Sequence, residues 1–103
     1  MQKKFSDEEL RTIIDQAVTY RCACPSQVAE LLLKSRSVHD YEQRCLTEEN
    51  NLPETHHAIS KAVAEAHVLY EECLDQVLDI EGWDKASLVM PEGLRQKARI
   101  EKD

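Results

Sequence analysis

The chain has 103 residues, 42% apolar and 32% charged, with a net charge of −7, which suits one domain with one core. Two glycines, three prolines and few β-branched runs argue against a sheet protein. The charge is uneven, net −2 over residues 1–50, −6 over 51–82 and +1 over 83–103; an acidic body lacks the basic stripe that binding to nucleic acid or an anionic membrane requires.

The N-terminal MQKKFSDEEL has no long apolar core, so no signal peptide is expected. No window approaches the roughly 20 apolar residues of a membrane span. The expected compartment is the cytosol, where the four cysteines stay thiols.

The first element is announced by Phe5-Ser6-Asp7-Glu8-Glu9-Leu10. Ser6 as N-cap and Glu9 three positions on form a capping box, and Phe5 with Leu10 forms the hydrophobic staple. Asp7 and Glu8 add acid at the positive end of the helix dipole. A helix over about 7–22 then carries Leu10, Ile13, Ile14, Ala17, Val18 and Arg21 on one face. Pro25 turns the chain a sharp corner and opens a second helix over about 25–48. Its stripe is Cys24, Val28, Leu31, Leu32, Ser35, Val38, His39, Glu42, Cys45 and Leu46, with Leu33 and Tyr41 off it. The polar run Glu48-Glu49-Asn50-Asn51 ends it, and so short a link predicts an antiparallel hairpin.

The third helix, about 53–81, is the longest periodic stretch. Ile59, Ala62, Val63, Ala66, Tyr70, Cys73, Leu74, Val77 and Ile80 recur at spacings of three and four. Pro53 suits its first turn, with Asn51 upstream as a cap. Gly82 predicts a left-handed stop with Trp83 folding back on Leu78. The tail, 83–103, reads as irregular or short-helical, with one turn at Asp84-Lys85-Ala86-Ser87 and another after Pro91. The whole predicts an all-α single domain: a long helical hairpin with a shorter N-terminal helix packed across it.

Chemistry-bearing residues are few. Cys22-x-Cys24 at the helix corner is half of a metal-thiolate site for zinc or iron; the hairpin register leaves Cys73 about 9 Å along the axis from Cys24, a gap that a shift in register would close. Cys45 lies at the other end of the hairpin. The alternative is that Cys24, Cys45 and Cys73 are small buried apolar residues. His39, His67 and Glu42 fall within about one turn of one another across the hairpin, the way bundles assemble metal sites; the alternative is boundary histidines hydrogen-bonded to neighbours. No serine sits in a glycine-flanked elbow and no glycine-rich phosphate loop exists, so no catalytic set emerges. Glu71 and Glu72, adjacent on a helix, splay apart and read as solvated charge.

The expected function is therefore a non-catalytic interaction module that self-associates. A small metal-binding or redox protein using the Cys22/Cys24 region is the alternative. A length mismatch supports self-association. The first helix, about 23 Å, covers only the corner-proximal half of a hairpin about 40 Å long. Val38, Leu46 and Ile59 near the turn are left without a third helix, which predicts a homodimer with its interface there.

Overall fold

The computed structural model describes residues 1–20, 24–46 and 52–94. Three helices follow one another: α1 (Asp7–Tyr20), α2 (Cys24–Cys45) and α3 (Pro53–Glu81). The described residues contain no named strand, only an isolated bridge between Asp84 and Val89. The all-α hairpin with a shorter first helix is the architecture. α2 packs along α3, and α1 packs along α2. The molecule is elongated, 56 × 24 × 17 Å, because α3 alone runs for 29 residues, about 43 Å of helix.

The ends of the helices follow from local chemistry. At α1 the Ser6 backbone N–H donates to Glu9 Oε1 at 2.9 Å and the Glu9 N–H to Ser6 Oγ at 3.0 Å. The capping box is thus closed in both directions, and Phe5 and Leu10 are both buried in the core. At the C-terminus of α3, Gly82 takes φ 79°, which a glycine adopts without Cβ strain. Its N–H donates to Asp79 O at 3.1 Å and the Trp83 N–H to Leu78 O at 2.9 Å, the Schellman pair of bonds. Trp83 and Leu78 are buried together as expected. At the start of α3 the N-cap is Leu52, whose side chain makes no cap bond, and Pro53 stands in the first turn as expected; Asn51 lies outside the described residues.

The core gathers Leu10 and Ile13 from α1, Ala29 and Leu32 from α2, Leu74 and Leu78 from α3, and Trp83, Leu88 and Met90 beyond it. Complete burial of each of the larger side chains stabilises by about 1.5–3 kcal/mol. All of this sits in the half of the hairpin near the Pro25 corner. The tail, with the expected turn after Asp84 and helical turn after Pro91, closes that end. Asp84 Oδ1 accepts from the Ala86 N–H at 3.0 Å, Leu88 N–H donates to Asp84 O at 2.7 Å, and the Met90 N–H donates to Gln16 Oε1 of α1 at 3.0 Å. Lys85 lies between Asp75 at 2.9 Å and Asp79 at 2.7 Å. These contacts bring Leu88 and Met90 onto α1, so the tail as far as Met90 stays in this half.

The burial phase departs from the predicted stripes. On α1, Val18 is exposed. On α3 the buried line is Ser60, His67, Glu71, Leu74 and Leu78. The apolar line one residue behind it, Ile59, Val63, Ala66, Tyr70, Cys73, Val77 and Ile80, is only half-buried or exposed. One residue is about 100° of rotation. α3 therefore turns a partly polar line to the interior and leaves its regular apolar line to one side. Glu71, expected in solvent, is buried, while Glu72 beside it is exposed.

Candidate interaction surface

The polar line is tolerated because Arg36 of α2 meets it. Arg36 is buried and spends its guanidinium on four groups. Nε donates to His67 Nε2 at 3.0 Å, Nη1 to Asp7 Oδ1 at 2.6 Å, and Nη2 to Phe5 O at 2.7 Å and to Glu71 Oε2 at 3.3 Å. Glu71 Oε2 also accepts the backbone N–H of Lys4 at 2.7 Å and of Phe5 at 3.0 Å. The N-terminal segment, α1, α2 and α3 are thus clasped at one point. A buried charge is tolerable only when paired and hydrogen-bonded in this way.

His67 is neutral by construction. Its Nε2 accepts from Arg36, so the ring proton sits on Nδ1. That atom is buried without a hydrogen-bond partner among the described residues, 3.7 Å from Glu71 Oε1. Burial pushes the His67 pKa below its ordinary value; Glu71 opposes this and Arg36 adds to it. The Arg36 hydrogen bond holds the Asp7 carboxyl below the usual carboxylate range. Nearer the turn, His56 Nδ1 donates to buried Glu42, and Gln43 Nε2 donates to Ser60 Oγ at 3.2 Å.

Inward polar groups leave apolar groups facing out. On the side of the hairpin away from Arg36 and Asp7 runs a groove of about 350 Å³. It is lined by Leu31, Lys34, Ser35 and Val38 of α2 and Ala62, Val63, Ala66 and Tyr70 of α3. Ile59, Leu69 and Ile80 are exposed on the same helix. Lys34 is the only charged side chain in the groove lining, and it makes no ion pair among the described residues. A larger groove of about 710 Å³ lies on the α1 side, lined by Asp7, Arg11, Leu33, Arg36, Ser37, Asp40, Gln43 and Arg44. Its charges are mixed and Arg36 is already committed, so it presents no concentrated charge to a ligand.

Of the expected interface residues, Val38 lines the apolar groove and Ile59 is exposed near the turn, whereas Leu46 is half-buried. In the expected histidine set two members are engaged elsewhere. His67 is occupied by Arg36 and Glu42 by His56, His39 is half-buried, and no three His, Cys, Asp or Glu side chains among the described residues are grouped to hold a metal ion. Cys22 lies outside the described residues. Cys24 and Cys73 are exposed and Cys45 is buried, so the buried-thiol expectation holds for Cys45 alone. No helix among the described residues is long and apolar enough to cross a membrane. No protein-family model, curated protein or solved structure matches this chain.

Sequence reasoning did not pick out Arg36 or Glu71. Both fall on the polar side of a stripe drawn from apolar residues alone. The available signal was the seven-residue spacing that puts Ser60, His67, Leu74 and Glu71, Leu78 on a second, parallel line.

Proposed function

We propose that the protein is a non-catalytic helical interaction module whose working surface is the open α2/α3 face. The observation that carries this reading is the displaced apolar line of α3. Its side chains recur at alternating spacings of four and three, the seam pattern of helix-on-helix packing, yet they stay half-buried or exposed. A contiguous apolar face of this kind is costly to leave in water and marks a contact surface. The occupant is a helical layer, supplied by a second copy as a homodimer or by another chain, because a straight two-helix groove accepts helices in ridges-into-grooves register.

The reading is tested by placing a photoreactive p-benzoylphenylalanine at Ile59 or Leu69, with Glu8 on α1 as control, and irradiating the protein in an extract of its own cells. Light-dependent adducts at Ile59 and Leu69, and none at Glu8, are expected. Equal yields at all three positions would overturn the docking assignment.

A further inference from the structure

We propose that residues 1–5 form a strap that protonation of His67 releases from the hairpin, with Ser6 as the hinge. Among the described residues, three bonds tie the backbone of the strap to the rest of the molecule, and all run through two side chains. Glu71 Oε2 accepts the Lys4 N–H at 2.7 Å and the Phe5 N–H at 3.0 Å, and Arg36 Nη2 donates to the Phe5 carbonyl at 2.7 Å. The Lys3–Asp7 ion pair, at 3.9 Å, lies at the surface and adds little. The Phe5 ring is buried in the core cluster with Leu10, so the strap covers apolar surface that its departure would bare.

Arg36 and Glu71 both answer to the protonation state of one imidazole. Arg36 Nε donates to His67 Nε2 at 3.0 Å, a bond that exists only while that nitrogen keeps its lone pair. His67 Nδ1 is buried without a hydrogen-bond partner among the described residues and stands 3.7 Å from Glu71 Oε1. A proton on Nε2 sets N–H against N–H. The guanidinium is planar and rigid, so displacing Nε carries Nη1 away from Asp7 and Nη2 away from the Phe5 carbonyl. The imidazolium also draws Glu71 toward Nδ1, away from the Lys4 and Phe5 N–H groups. One proton thus disturbs all three tethers. The capping box between Ser6 and Glu9 involves neither side chain, so α1 keeps its start and the chain opens at Ser6.

The surrounding charges set the direction. Burial weighs most against a charge on His67 in the closed state. Glu71 on its own helix favours one, and Arg36 of α2 and, more weakly, the Met1 ammonium and Lys3 of the strap oppose it. Asp7 of α1 is engaged by Arg36. Opening admits water to the imidazole and carries Met1 and Lys3 away, so the open state binds the proton more tightly than the closed one. Falling pH therefore favours opening, from about 6.5 downward. A cleft of about 180 Å³ between Gln2, Lys3 and Lys4 of the strap and Val68, Glu71 and Glu72 of α3 gives water a path to the Glu71 side of the cluster. Opening presents Phe5 with Lys3 and Lys4 beside it, an aromatic and cationic segment that the closed state withholds.

Phe5 is the only phenylalanine and Trp83 the only tryptophan, so strap and core can be followed separately. The full chain, labelled with para-fluorophenylalanine, is titrated from about pH 7.5 to 3.5 while its fluorine resonance, Trp83 emission and helical circular dichroism are recorded. Below about pH 6.5 the fluorine resonance is expected to move to its position in denatured protein, with Trp83 emission and helicity unchanged. His67→Gln, whose oxygen still accepts from Arg36, should hold the strap until the carboxylates titrate near about pH 4. His56→Gln, which removes the imidazole beside Glu42, should leave the release where it is; a shift there would move the switch off His67. If His67→Gln does not fold, wild-type protein carrying isotope-labelled histidine decides, because one imidazole must titrate at the midpoint of the Phe5 movement. A Phe5 resonance that stays in place through the histidine range would overturn the proposal. So would one that moves alike in wild type and His67→Gln, or only together with Trp83 and helicity.

Discussion

Arg36 cannot be removed without leaving charge stranded in the core. Its guanidinium answers Glu71, Asp7, His67 and the Phe5 carbonyl together. Arg36→Met should therefore destabilise the fold by about 3–5 kcal/mol, the range for breaking one partner of a buried ion pair, read by urea unfolding at pH 7. Asp7 is half exposed, so Asp7→Asn should cost much less; equal losses would mean that Arg36 acts by packing alone. His67 adds a pH dependence with a definite sign. Its folded pKa is depressed below the ordinary 6.5. As pH falls through about 6.5 the unfolded chain takes up the proton first, so stability present above that pH is lost toward the lower folded pKa. Protonating Nε2 would also set two donors against each other across the Arg36 bond. His67→Gln, whose side-chain oxygen can accept from Arg36, should flatten the decline between about pH 7 and 5 relative to wild type. Parallel pH–stability curves for the two proteins would refute the neutral-acceptor assignment. None of this was legible from composition. An arginine among polar residues and the first of two adjacent glutamates look like solvated charge until the partner helix is placed.

The helix ends were legible where a side chain or a backbone conformation has to answer for free N–H and C=O groups. Ser6→Ala should lower stability by about 1 kcal/mol, since it opens the capping box. An unchanged melting midpoint would show that the box contributes nothing. Gly82→Ala should cost about 1 kcal/mol or more through its left-handed φ alone, because no atom lies within 4 Å of where the new Cβ would sit. Gly82→Asn should cost less, asparagine being the better-tolerated residue in that conformation. The rotational phase of α3 was not legible for a different reason. Two lines at seam spacing run side by side along it, one apolar and one interrupted by Ser60, His67 and Glu71. Hydrophobicity alone selects the apolar line. The structure selects the other because Arg36, fixed on α2 by its bonds to Phe5 and Asp7, needs acceptors opposite it. The tail's turn after Asp84 and its helical turn after Pro91 were legible; its packing was not, for want of any period, since Leu88 and Met90 bury through a turn in which Leu88 takes φ 57°, a conformation that favours few side chains.

Across the whole molecule the two halves of the hairpin differ. α1 and the tail cover one half, from the Pro25 corner to the level of Arg36, and the length mismatch that predicts this follows from helix rise alone. Beyond Arg36 the described residues form two helices, with the apolar groove along their side. The thiols report on this division. Cys45 is buried and Cys73 exposed on the displaced apolar line of α3. The thiolate is the reactive form and needs access, so Cys73 should alkylate rapidly in native protein at low concentration and Cys45 only in denaturant, as read by peptide mass mapping after a timed pulse. A slow Cys73 or a fast Cys45 in the native protein would reverse this division.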